Sequence, residues 1–124
     1  MAKPQQTAGF TVWFTGLPCS GKSTLAERLV AALRAQDRKV ELLDGDFIRT
    51  NLSKGLGFSK EDRDTNVRRI GAIAHLLTRQ DVIVVVAVIA PYREARDANR
   101  QLIQRFVEVY VRCPLAICVE RDRK

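Results

Sequence analysis

Eight consecutive aliphatic residues, Val82–Ile89, constrain the fold of this chain more than any other part of its sequence. A strand with one face in water alternates apolar and polar residues, whereas a continuous Val/Ile run indicates a strand that is buried on both faces. Helices must then cover both sides of the sheet. The run therefore predicts a parallel β-sheet within an α/β fold.

Strand and helix patterns alternate along the rest of the chain. β-branched and aromatic residues predict further strands at Phe10–Thr15, Lys39–Leu43 and Phe106–Val111. An acidic turn is expected after the second of these strands, and a loop over residues 51–59. Helical spacing of apolar residues predicts helices from Lys22 for about four turns, from the N-cap Ser59 to about Arg79, over about Glu94–Arg105, and after Pro114.

The first strand and the first helix enclose the motif G-x-x-x-x-G-K-[ST]. A glycine-rich loop at such a junction curls its backbone N–H groups around a phosphate, and the positive end of the helix faces the same anion. An ordinary glycine turn that caps a helix is the alternative, but it does not require a Lys-Ser pair. We therefore predict that ATP is bound by Gly16, Leu17, Pro18, Cys19, Ser20, Gly21, Lys22, Ser23 and Thr24.

Two members of this loop have distinct chemical roles. Lys22 would neutralise charge on the β- and γ-phosphates, and the Ser23 hydroxyl would bind Mg²⁺. Together with the order of the elements, the loop predicts a P-loop NTPase-type fold. This fold is a doubly wound, mostly parallel sheet with right-handed crossovers and helices on both faces.

The acidic residues indicate a kinase rather than an ATPase. The aliphatic run carries no acidic residue at its end, where ATPases have an Asp. Asp44 and Asp46 instead follow the second predicted strand. If that strand neighbours the first, one carboxylate could accept the proton of an acceptor hydroxyl. Asp-Gly-Asp is also common turn chemistry, and the residues alone leave that alternative open.

Length and composition limit the other possibilities. The 124 residues suffice for one domain, expected at residues 10–124 after a polar leader at residues 1–9. The net charge of +7 is spread along the chain without a nucleic-acid-binding motif, so we expect no nucleic acid partner. No apolar run is long enough for a membrane span, and three cysteines form no disulfide pattern. The expected location is the cytoplasm.

Several segments resemble the adenylylsulfate kinase family of P-loop kinases. The likeness extends from Phe10 to Lys124, and its most characteristic stretch among P-loop kinases is Gly57–Gly71. Besides the phosphate loop, the segments that carry it are Asp44-Gly45-Asp46, Arg49 with Asn51 and Leu52, Gly55–Arg63, Asn66, Arg69-Ile70-Gly71, Ile89–Arg93, Phe106–Pro114 and Cys118–Asp122.

The resemblance implies transfer of the ATP γ-phosphate to the 3′-hydroxyl of adenylyl sulfate in sulfate assimilation, by a homodimer. It implies that Asp44 is the base or orienting group and that Asp46 supports it. Arg63 and Asn66, three residues apart near a helix start, would project from one face toward an anion. The implied acceptor-binding residues are Arg49, Phe58, Arg63, Asn66 and the backbone of Ile89 and Ala90.

The chain departs from this family pattern in two ways. Ala90 stands where members commonly have a serine that has been regarded as a phosphorylated intermediate, so transfer is expected to be direct. The family also continues past Lys124 with a basic lid motif and a further strand, so the chain is expected to be C-terminally incomplete. Two alternatives remain: another kinase that acts on a nucleoside monophosphate or a sugar acid, and a nucleotide-binding fragment without turnover.

Overall fold

The computed structural model describes residues 8–16, 21–52, 55–57, 59–88 and 93–111, excluding the side chains of Asp46 and Arg49. None of the helices in these ranges has the length and apolarity that a membrane span requires. In chain order the elements are β1 (Thr11–Thr15), α1 (Lys22–Ala35), β2 (Val40–Leu43), α2 (Gly45–Asn51), α3 (Lys60–Arg79), β3 (Ile83–Ala87), α4 (Arg93–Ile103) and β4 (Phe106–Tyr110).

The strands form a parallel sheet in the order β2-β3-β1-β4. The chain crosses the sheet from β1 to β2 in one direction, and it returns in the other direction from β2 to β3 and then to β4. Because α1 packs on one face and α3 and α4 pack on the opposite face, the three crossovers have the same hand. The predicted doubly wound α/β fold is therefore confirmed.

The side chains of β3 contribute to a hydrophobic core on each face of the sheet. Val84 and Val86 pack in the core beneath α2, α3 and α4, whereas Ile83 and Val85 pack in the core beneath α1. All residues of β3 are buried. The prediction that this aliphatic run is buried on both faces is confirmed.

The segment after β2 is a helix, and the predicted acidic turn is wrong. Asp44 is the N-cap of α2, and its Oδ1 accepts a hydrogen bond from the backbone N–H of Phe47 at 2.9 Å. Gly45 and the β-branched Ile48 have low helix propensity, so the local pattern gave no helix signal. Burial of Ile48, which is 3% exposed, stabilises the helix through tertiary packing instead.

The helix α3 begins and ends where the sequence predicted. Ser59 is its N-cap, and the Ser59 Oγ accepts a hydrogen bond from the N–H of Asp62 at 3.1 Å. Acidic residues occupy its first turn and Arg79 its last turn, so the charges at both ends complement the helix dipole. The helix predicted after Pro114 lies outside the described residues and stays a prediction.

Gly71 of α3 lies close against α4 on one face of the sheet. A Cβ atom at this position would overlap the side-chain amide of Asn99 on α4. Asn99 is 2% exposed, and its Nδ2 donates a hydrogen bond to the carbonyl of Val67 at 3.0 Å. A side chain at position 71 must therefore displace a buried, hydrogen-bonded amide.

We expect Gly71→Ala to lower the free energy of unfolding by about 1–3 kcal/mol, the usual effect of overpacking a dense contact. Urea denaturation measures this change. In an Asn99→Ala background the added methyl meets no amide, so the same substitution should be nearly neutral there. An equal loss in both backgrounds would show that the contact with Asn99 is not the cause.

Candidate active site

The candidate site lies at the carboxyl edge of the sheet, where the parallel strands end. Gly16 directly follows β1, and Asp44 directly follows β2. The predicted pocket residues Ile89 and Ala90 come two and three residues after the end of β3. In open α/β sheets, ligands bind in the crevice outside these strand ends. The fold therefore brings the carboxyl ends of β1, β2 and β3 to one edge, whereas Ile89 and Ala90 themselves lie outside the described residues.

Two glycines of the phosphate motif adopt backbone conformations that other residues avoid. The φ angle is 147° at Gly16 and 98° at Gly21. A Cβ atom would strain the backbone at both positions, so the motif needs glycine there. Residues 17–20 lie outside the described part of the chain. The phosphate contacts expected of Leu17, Pro18, Cys19 and Ser20 stay predictions.

Lys22 places a positive charge at the N-terminus of α1, and the N-terminus is the end of a helix that attracts anions. Lys22 is the first residue of α1 and is 9% exposed. The first turn contains no acidic residue, and the N-cap Gly21 makes no side-chain capping bond. By contrast, α3 begins with a serine cap and two acids. Because a helix N-terminus already carries about half a positive charge, this arrangement favours a bound polyanion.

The carboxylate of Asp44 lies at the carboxyl end of β2. The side chain is half-buried, and the N-cap bond to Phe47 fixes its orientation through Oδ1. An ionised carboxylate has about four acceptor positions on its two oxygens. Capping α2 therefore leaves Asp44 with the capacity to accept a proton from a hydroxyl group.

The strand order decides a condition that the sequence left open. The sequence interpretation placed Asp44 beside the phosphate site if β2 neighbours β1, but β3 lies between these two strands. Neighbouring strands lie about 4.8 Å apart, so the ends of β2 and β1 are separated by roughly 10 Å. An acceptor molecule over the end of β3 would then lie between the phosphate loop and Asp44.

The predicted acceptor-binding residues of α3 lie in its first two turns. Arg63 is exposed and Asn66 is half-buried, and their spacing of three residues places them on one side of the helix. The helix α1 covers the opposite face of the sheet. Lys22 at the start of α1 and the predicted acceptor-binding residues Arg63 and Asn66 on α3 therefore belong to helices on opposite faces of the sheet. Phe58, Ile89, Ala90 and the side chains of Asp46 and Arg49 lie outside the described structure.

Comparison with protein families shows which family this chain matches. The family model described as adenylylsulphate kinase matches residues 8–124. The chain belongs to the adenylylsulphate kinase family. The family resemblance found in the sequence is therefore confirmed, and the motifs that carried it lie within the matched region.

Individual members of the adenylylsulphate kinase family show how far the similarity extends. The adenylyl-sulfate kinase of Gloeothece citriformis is 59% identical over 116 residues, which are 94% of this chain and 66% of that protein. The present chain thus spans slightly less than two-thirds of that relative.

Solved structures agree with this similarity. The Mycobacterium tuberculosis APS kinase CysC, in complex with AMPPNP and APS, matches with a TM-score of 0.88 and 39% identity over 96% of this chain and 71% of that chain. A hexameric APS kinase from Thiobacillus denitrificans matches with a TM-score of 0.79 and 52% identity, over 84% of this chain and 22% of that chain.

Two contacts made by residues of the segment Gly57–Gly71 were not predicted from the sequence. The N–H of Gly57 donates a hydrogen bond to Oδ2 of Asp62 at 2.7 Å. The Nη1 of Arg69 donates a hydrogen bond to the carbonyl of Leu52, also at 2.7 Å. A bond between residues seventeen positions apart has no local sequence signal, so only the fold reveals the second contact.

Proposed function

We propose that this chain transfers the γ-phosphate of ATP to the 3′-hydroxyl of adenylyl sulfate, giving 3′-phosphoadenylyl sulfate and ADP in sulfate assimilation. One observation carries the proposal. The start of α1, with Lys22 at its first position, and the oriented carboxylate of Asp44 share one edge of the sheet and are separated there by β3, in a member of the adenylylsulphate kinase family. The Mycobacterium tuberculosis relative with AMPPNP and APS supports this pair of ligands.

In the proposed reaction the 3′-oxygen attacks the γ-phosphorus while the bond from that phosphorus to the β,γ-bridging oxygen breaks. The proton of the 3′-hydroxyl passes to the carboxylate of Asp44, and ADP leaves with the bridging oxygen. Lys22 stabilises the negative charge on the phosphates during transfer. Ala90 has no hydroxyl, so a phosphorylated residue at that position plays no part and transfer is direct.

The residues near the start of α1 fit a magnesium ion that is bound mainly through phosphates. Ser23, the second residue of α1, is exposed and presents a hydroxyl oxygen of the kind that Mg²⁺ accepts. In the described part of the chain, no three His, Cys, Asp or Glu side chains come together as a metal cage. Mg²⁺ would neutralise charge on the β- and γ-phosphates, and Asp46 would contact its water shell.

The proposed partners follow the same reasoning. The acceptor is the small molecule adenylyl sulfate, held by Arg49, Arg63, Asn66 and Phe58. We propose that the protein is a homodimer in the cytoplasm. Three cysteines without a disulfide pattern suit the reducing cytoplasm, and the hexameric relative from Thiobacillus denitrificans supports self-association. We expect neither nucleic acid nor a membrane as a partner.

Replacing Arg63 tests the proposed acceptor. We expect Arg63→Ala to raise the KM for adenylyl sulfate roughly 10- to 100-fold, because a hydrogen bond to a charged group contributes about 1.5–3 kcal/mol. Steady-state kinetics with each substrate varied in turn measures this effect.

The matched control is Arg105→Ala. Arg105 precedes β4 at the opposite edge of the sheet, where its Nη1 lies 3.9 Å from Oδ1 of Asp81. This variant should retain the KM for adenylyl sulfate. If Arg63→Ala and Arg105→Ala behave alike, Arg63 does not bind the acceptor, and a different acceptor becomes the better interpretation.

A further inference from the structure

We propose that Arg69 is a positioning residue that sets the geometry of the acceptor site by tying the end of α2 to α3. The inference rests on the proposed function and deepens it. Arg69 is exposed on α3, and its guanidinium reaches back across seventeen residues to the carbonyl of Leu52. Leu52 is the C-cap of α2. The bond therefore joins α3, which carries Arg63 and Asn66, to the helix that Asp44 caps.

The helix α2 depends on such external contacts. It has seven residues, which is too short for independent stability in water. Ile48 buries its side chain in the core, Leu52 packs against the same core, and Asp44 caps the other end. The carbonyl groups of the last turn lack helical partners. A guanidinium at this negative helix end forms a charge-assisted bond and complements the dipole.

A second bond ties the intervening segment to the same helix. The Oδ2 of Asp62, in the first turn of α3, accepts the N–H of Gly57 at 2.7 Å. Ser59 in turn caps α3 through the N–H of Asp62. The segment between α2 and α3 is thus hydrogen-bonded to α3 at two points, Leu52 and Gly57. Arg69 makes the first of these bonds, at the C-cap of the helix that Asp44 caps at its N-terminus.

The position of this tie predicts which ligand it affects. Asp44 caps α2, while Arg63 and Asn66 lie on α3, so loss of the tie changes how these acceptor groups face one another. Lys22 and Ser23 begin α1, which packs on the other face of the sheet. Removing the Arg69 bond should therefore weaken use of the acceptor and leave use of ATP unchanged.

The experiment compares Arg69→Met with Arg68→Met in the full chain. Arg68 is the preceding exposed arginine of α3, so the control removes the same charge. We expect Arg69→Met to raise the KM for adenylyl sulfate about tenfold and to leave the KM for ATP within about twofold, because one charge-assisted bond is lost at a distance from the phosphates. Arg69→Lys, which keeps one charged donor, should restore part of the difference.

The possible outcomes separate this inference from the proposed function. If the unchanged chain forms no product from adenylyl sulfate, the proposed function and this inference both fail. If the unchanged chain is active and Arg69→Met has the KM values of Arg68→Met, only the inference fails. If the KM values for both substrates rise together, Arg69 supports the fold in general and the inference is again overturned.

Discussion

Lys22→Met is expected to lower the rate of phosphate transfer by two to four powers of ten, because it removes a cation from the place where charge moves in the transition state. Lys22 is nearly buried at the first position of α1, next to a positive-φ glycine and without an acidic neighbour in that turn. Methionine keeps most of the side-chain volume while removing the ammonium group. The rate of ADP formation at saturating substrates measures the loss.

Lys39→Met is the matched control for this loss. Lys39 is an exposed lysine at the amino end of β2, away from the strand ends that form the site. Its replacement removes the same charge from the protein, and the rate of transfer should stay unchanged. A Lys22→Met rate within about threefold of the unchanged chain would mean that this ammonium group does not act on the transferring phosphate.

Asp44→Ser is expected to lower kcat by about two to four powers of ten while the fold keeps its stability. Serine caps helices about as well as aspartate, so the start of α2 is preserved. The hydroxyl of serine is not a base at neutral pH, so the proton of the acceptor has no carboxylate to receive it. Single-turnover kinetics and thermal unfolding measure the two properties separately.

Asp44→Ala separates capping from proton transfer. This variant loses the base and also the bond to the N–H of Phe47, which should lower the free energy of unfolding by about 1 kcal/mol. We therefore expect equal loss of kcat in the serine and alanine variants, with reduced stability in the alanine variant alone. Near-normal kcat in Asp44→Ser would assign Asp44 a purely structural role.

Much of the fold could be predicted because the decisive signals are local. The aliphatic run of β3 has no polar residue, and Ser59 with the acids after it marks the start of α3. The helix α2 could not be predicted, since Gly45 and Ile48 disfavour a helix and its stability comes from the core. The strand order could not be predicted from the sequence either, because the pairing of β2 with β3 depends on the crossover connections rather than on the sequence of either strand alone.

Some features of the candidate site could likewise be predicted from the sequence, and others could not. The positive φ angles of Gly16 and Gly21 follow from the motif, because this loop requires a curled backbone. The bond from Arg69 to Leu52 and the contact of Gly71 with Asn99 join positions far apart in the sequence. Such contacts exist only once helices pack, so they follow from the fold and leave no periodic pattern.

The most direct measurement mixes the purified chain with Mg·ATP and adenylyl sulfate and follows both products. We predict ADP and 3′-phosphoadenylyl sulfate in equal amounts, with no ADP formed when adenylyl sulfate is replaced by a nucleoside monophosphate or a sugar acid. Binding of both ligands without product, or phosphorylation of one of the other acceptors instead, would contradict the proposed function.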